Sequence, residues 1–170
     1  MARIPYVDED SASKRTLDVL EKNGDRNIFR MLAHSESHLV NYCRLGNAIR
    51  FQGALDPALR ELAITRTGIL CRSDYEVIAH KRIARRVGVS DEKIAALEEG
   101  ASASAYDEVE RAVLEFTDEV VTMDRPRDNV FRAVAGHLSA EALVELQIAI
   151  GYYIMTSKFL RTFDIDLQTD

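Results

Sequence analysis

The feature that most limits what this chain can fold into is its punctuation. A helix-starting residue, a run with apolar positions three and four apart, and then a glycine or proline recur along almost its whole length. The stretch from Ser11 opens on Ser and Thr, carries Leu17 and Leu20, and stops at Gly24. Phe29 to Gly53 keeps helical spacing and reads as one bent helix or two. Asp56-Pro57 supplies a cap and a proline at the first helical position, where a missing N–H is no loss. Ser73 to Gly88, Ser90 to Gly100 and Ala105 to Met123 follow, the last ending ahead of Arg125-Pro126. A short helix around 129–137 leads into a long one from Ser139 to Phe163. No segment alternates with period two for long enough to be a strand. The pattern predicts an all-α bundle of seven to nine helices, a single domain over residues 1–170, joined by short turns.

Of the 170 residues, 46% are hydrophobic and 29% charged, enough apolar material for a real core. The formal net charge of −6 argues against a general nucleic-acid partner, which needs cations to displace phosphate counterions. The opening "MARIPYVDEDSASKR" is too polar for a secretory signal, and "AIGYYIM" is too short to span a bilayer. The expectation is a soluble cytoplasmic protein without a membrane partner. Cys43 and Cys71 are then expected as reduced thiols, and their neighbourhoods lack the further ligands a zinc site needs.

The stretch "CRSDYEVIAH", Cys71 to His80, holds the densest chemistry. Ser73 and Glu76 have the spacing of a capping box, in which the Ser oxygen accepts the third helical amide and the Glu returns to the cap amide. Glu76 and His80 are four apart and share a helix face, as a surface pair or as a proton-transfer pair. Apolar Val77, Ile78, Ile83 and Ala84 around His80 favour a site shielded from water. No Cys-x-x-Cys pair is present, so Cys71 reads as a buried packing residue. His34 and His38 in "HSESH" share the spacing of a two-histidine metal pair but have no evident third ligand, and read as exposed. His137 reads as a turn residue. The stretches "LRELAITRTG" and "LVELQIAIG" echo each other, either as a duplicated hairpin or as two similar helix starts.

From Leu59 to Leu97 the sequence resembles the carboxymuconolactone decarboxylase family, which shares the alkylhydroperoxidase D-like fold. Glu61, Arg66, Tyr75, Glu76 and His80 fit the family pattern, as does the Gly88-Val-Ser-Asp-Glu stretch, and the C-terminal Gly-Tyr-Tyr step looks like the family's last helix. The resemblance covers about residues 27 to 167 and leaves 1–26 as an N-terminal extension. Ser73 and Glu76 stand where the family's peroxidase branch has its two cysteines, and Ile154 and Lys158 stand where many relatives have Asn and Arg. The resemblance implies chemistry without a cofactor or a metal, with Glu61, Glu76 and His80 catalytic and Arg66 and Tyr75 on the substrate side. Arg66 has a second role open to it, the closing of an ion pair. The resemblance also implies a homo-oligomer, trimer or hexamer.

A geometric expectation follows from helix dimensions. If the helices bearing Glu61 and His80 pack antiparallel about a turn near Arg72-Ser73, the two groups are offset by roughly 6 Å, which a long side chain or one water bridges. The alternative for Glu61 is an acid near a helix N-terminus, favoured by the dipole. Three functions are then open: a decarboxylase-like enzyme moving protons on a small lactone or carboxylic acid, a peroxide reductase relying on Cys71, or a non-catalytic helical assembly protein.

Overall fold

Most of the punctuation is obeyed by the chain. A computed structural model describes residues 1–167, and among these residues there are nine α-helices, one 3₁₀ turn at Glu9–Ser11 and no strand. The helices are α1 (Lys14–Asn23), α2 (Asn27–Leu32), α3 (Glu36–Phe51), α4 (Pro57–Leu70), α5 (Asp74–Arg86), α6 (Asp91–Ala96), α7 (Glu108–Thr122), α8 (Asp128–His137) and α9 (Ala140–Thr162). Ser13, Asp56 and Ser90 cap α1, α4 and α6 with their side-chain oxygens, as their residue types predict. The stretch from Phe29 to Gly53 is two helices, broken at Ala33–Ser35. A capping box that the sequence reading passed over starts α7: Asp107 accepts the Glu110 amide, and the Glu110 carboxylate accepts the Asp107 amide.

The helices form two compact units, Met1–Gln52 with the segment from Phe159 on, and Gly53–Lys158. In the first unit Leu20 of α1 packs with Leu39 and Cys43 of α3, so residues 1–26 contribute a helix to a core. In the second unit one cluster joins Ala63 of α4, Val113 and Phe116 of α7, Val130 and Val134 of α8, and Leu146 and Ile150 of α9. A second cluster joins Leu62 of α4, Ala84 of α5, Ile94 of α6 and Leu114 of α7. Helix α4 is the axis of this unit, and every residue from Arg60 to Gly68 is buried.

A helix buried on all sides must neutralise its own charges, because an unpaired charge out of water is far more costly than a paired one. Arg66 meets this requirement internally. Its Nε and Nη2 donate to the two carboxylate oxygens of Asp118 at 2.6 and 3.0 Å, and its Nη1 donates to the carbonyl oxygens of Leu97 and Glu98. The ion-pair role is therefore the one Arg66 fills. Four of the five guanidinium N–H donors are thereby engaged. Gly100 makes the arrangement possible. Its φ of +82° lies in the left-handed region, and a Cβ there would sit 2.6 Å from Arg66 Nη2. Arg66→Ala is expected to lower stability by about 3 kcal/mol, and Gly100→Ala by about 2 kcal/mol or more. Urea unfolding of the two variants measures both losses, and wild-type midpoints in both would contradict this account.

Candidate functional site

Helices α4 and α5 form an antiparallel hairpin about a turn at residues 71–73, with Arg72 in the left-handed region at its centre. The turn lies where the sequence places it, and the Glu61 and His80 side chains span the expected offset directly. His80 Nδ1 and Glu61 Oε2 are 2.6 Å apart and need no bridging water. Gly68 lets the two helices close here: a Cβ added to it would stand 3.3 Å from Glu76 Cβ.

Four charged groups gather at this level, all buried. Arg60 Nε donates to Glu61 Oε1 at 3.1 Å, and Glu61 Oε2 takes His80 Nδ1. On the other edge of the ring, His80 Nε2 lies 3.4 Å from Glu76 Oε2. The Tyr153 ring of α9 closes one side, edge-on to the imidazole with centroids 4.7 Å apart, and Tyr152 stands edge-on to Tyr153. Glu61 is 0% exposed and His80 4%.

The electrostatics follow from this enclosure. Burial alone would push the His80 proton off, but hydrogen bonding to Glu61 and Glu76 and the charge of both carboxylates outweigh it, raising its pKa from 6.5 to about 9. Burial likewise opposes the charge on Glu61, yet the bond to His80, the charge of His80 and Arg60 hold its carboxyl below the usual range. At neutral pH His80 is therefore an imidazolium, with the Glu61 and Glu76 side chains on its two ring nitrogens.

The capping box predicted for Ser73 and Glu76 is not formed. Ser73 occupies the N-cap of α5, but its side chain makes no capping bond, and Glu76 is drawn to His80 four residues on. Tyr75 lies half-buried on the first turn of α5, about 100° around the helix from Glu76. Cys71 is buried at the C-cap of α4, and neither it nor Cys43 is in a disulfide. His34 lies in the turn between α2 and α3 and donates to the Pro5 carbonyl, while His38 lies on α3 beside Ser35, so both are exposed and the paired spacing is not on one helix. His137 is the last residue of α8. Lys158 is exposed, and Ile154 packs on the apolar cluster of the second unit. Among the described residues no group of three His, Cys, Asp or Glu side chains is arranged to hold a metal ion.

Two members of the site were missed by the sequence reading. Arg60 stands beside Glu61, and its only signal is a cation next to that acid in a mostly apolar helix. Tyr153 was seen as part of the Gly-Tyr-Tyr step without being given a place in the site.

Residues 39–119 match the model of the carboxymuconolactone decarboxylase family. The uncharacterized protein YnjA of Escherichia coli (strain K12) is 30% identical over 121 residues, which is 70% of this chain and 66% of YnjA, so the chain spans about two thirds of the curated relative it matches. An uncharacterized peroxidase-related protein from Ralstonia eutropha JMP134 with an AhpD core has a TM-score of 0.83 at 19% identity, over 98% of this chain and 92% of its own. The debrominase Bmp8, solved as a variant with 2,3,4-tribromopyrrole, has a TM-score of 0.80 at 18% identity, over 99% of this chain and 95% of its own. The chain belongs to the carboxymuconolactone decarboxylase family, and its fold is the AhpD-like all-α bundle. No helix among the described residues is long and apolar enough to cross a membrane.

Because folded His80 keeps its proton up to about pH 9 while an unfolded imidazole loses it near 6.5, its contribution to stability is complete below about pH 6.5 and is lost as pH rises through about 9. Urea midpoints of the wild-type chain are expected to fall across that window, and those of His80→Gln to be lower but flatter. Equal slopes for the two proteins would show that His80 does not carry the titration.

Proposed function

We propose that the protein is a cofactor-independent enzyme that moves protons on a small lactone or carboxylic acid, in a decarboxylation or a proton-transfer reaction. The observation that carries this reading is one imidazolium held between Glu61 and Glu76 out of water. Its family contains decarboxylases, and a fold relative, Bmp8, was solved with a small ring compound.

In a decarboxylation the C–C bond to the carboxylate breaks, carbon dioxide leaves, and the electron pair remains on the substrate as an enolate. His80 passes its proton to Glu76, and Glu76 delivers it to the carbon. The neutral His80 and the carboxylate of Glu76 then recover one proton from water. In an isomerisation Glu76 removes a proton from carbon and returns it at another. Glu61, tied on its other oxygen to Arg60, holds the ring in place and keeps Nε2 turned toward Glu76. Tyr75 is retained as a substrate-side residue.

The same reading includes self-association in the cytoplasm as a trimer or hexamer. Exposed Val144, Ile148 and Met155 share one face of α9 and would be covered by a second copy. The thiol-dependent reading has only Cys71 in its favour, and that residue is buried.

Turnover of a panel of lactone acids tests the proposal. His80→Ala and Glu76→Gln are each expected to reduce kcat by about 100-fold or more, with Glu76→Gln folding normally. Undiminished turnover in both variants would falsify the assigned roles.

A further inference from the structure

Two arginines of the second unit are buried to the same degree, Arg60 and Arg66, each 8% exposed. Their donors are used very differently. Arg66 engages all three of its side-chain nitrogens, on the Asp118 carboxylate and on the carbonyls of Leu97 and Glu98. Half-buried Arg111 likewise commits both terminal nitrogens, to the carbonyls of Ala101, Ala103 and Tyr106. Arg60 makes one side-chain bond, from Nε to Glu61 Oε1 at 3.1 Å. Among the described residues no oxygen accepts from its Nη1 or Nη2. Four N–H donors of a cation are thus left over in a side chain that is nine-tenths out of water. A buried charge is ordinarily paired and hydrogen-bonded, because its desolvation is otherwise uncompensated.

Glu61 does not supply the missing acceptor. Its Oε2 is taken by His80 Nδ1 at 2.6 Å, so it cannot meet Arg60 with both oxygens. The Arg60–Glu61 pair is a single bond on the Nε side of the guanidinium. The edge between Nη1 and Nη2 remains, and it carries two parallel N–H groups, the match for the two oxygens of a carboxylate. Both nitrogens keep a little solvent-facing surface, so a small ligand reaches them. The charge favours an anion as well, since Glu61 is one carboxylate serving two cations, Arg60 and His80.

We propose that the free edge of Arg60 is a binding site for a small carboxylate, and that the substrate of the His80 centre is held there by its acid group. The site deepens the proton-transfer reading and rests on it, naming the residue that tells an acid from its uncharged analogues. The gripped carboxylate is one that the reaction keeps: loss of carbon dioxide would strip the charge from the pair, so the grip opposes it. A bound anion is also felt at the imidazole. Glu61, Glu76 and the Tyr153 ring face His80, and of these only Glu61 is bonded to Arg60. An anion on Arg60 draws that cation's field away from Glu61, leaves more of the Glu61 charge to His80, and tightens the hold on the His80 proton.

The test compares crotonate with crotonamide, which has its shape without its charge, by NMR titration of the full chain. Crotonate is expected to bind about tenfold more tightly or better, to move the Arg60 side-chain signals, and to raise the His80 pKa above its value of about 9. Arg60→Gln is expected to lose the preference for crotonate and the response of His80 to it. Arg60→Lys, which keeps the charge but not the fork, is expected to bind crotonate more weakly than wild type. Where Arg60→Gln does not fold, the Arg60 and His80 signals of the wild-type chain decide. The site is overturned if crotonate binds no better than crotonamide, if either variant binds crotonate as wild type does, or if the wild-type Arg60 signals or His80 pKa stay unmoved at saturation. Carboxylate binding that depends on Arg60, together with undiminished turnover in His80→Ala, would instead remove the proton-transfer reading and leave the site standing.

Discussion

The contact between Glu61 Oε2 and His80 Nδ1 is the constraint on which the second unit depends. Helix α4 is buried all round from Arg60 to Gly68, so it has no apolar stripe to fix its rotation. Hydrophobic packing tolerates several rotations of such a helix; an ion pair at 2.6 Å tolerates one. A slip of a single residue in α5 would swing the imidazole about 100° away and leave a carboxylate unpaired in the core. The electrostatic match therefore sets the register that apolar burial leaves open.

A second pair fixes the same helix from another side. Arg66 is five residues beyond Glu61, about 140° around the helix, and reaches Asp118 on α7. Glu61 keys α4 to α5, and Arg66 keys it to α7. Both buried charges are thereby neutralised by partners on different helices. The result is a frame that fixes the position of the imidazole from two sides.

The fold was largely legible because its signals are local. Ser13, Asp56, Ser90 and Gly100 act at the positions their chemistry suggests, and nine helices among the described residues agree with the expected range. The convergence of Glu61, Glu76 and His80 was visible through a family pattern rather than through spacing, since Glu61 is nineteen residues from His80. What stayed hidden depends on distant partners. Arg66 reads equally well as a substrate grip until Asp118 is seen beside it, fifty-two residues on. The repeated Leu-x-Glu-Leu is similarly mute: in α4 its acid holds His80, and in α9 its acid, Glu145, accepts the amides of Ala54 and Leu55.

Two sequences with the same local signature show why tertiary context decides. Asp107 and Glu110 form a capping box, whereas Ser73 and Glu76, at the same spacing, do not. The difference lies four residues farther on. Arg111 and Leu114 follow Glu110, but His80 follows Glu76 one turn later on the same face, and it carries a charge in a buried setting. The second carboxylate beside that charge is worth more than a returned cap amide, which contributes only about 0.5–2 kcal/mol. Glu76 therefore abandons the cap, and Ser73 remains buried with its hydroxyl uncommitted. A sequence that discards a local stabilisation at two positions three residues apart in one hairpin has a use for those groups elsewhere, and such departures concentrate where chemistry is done.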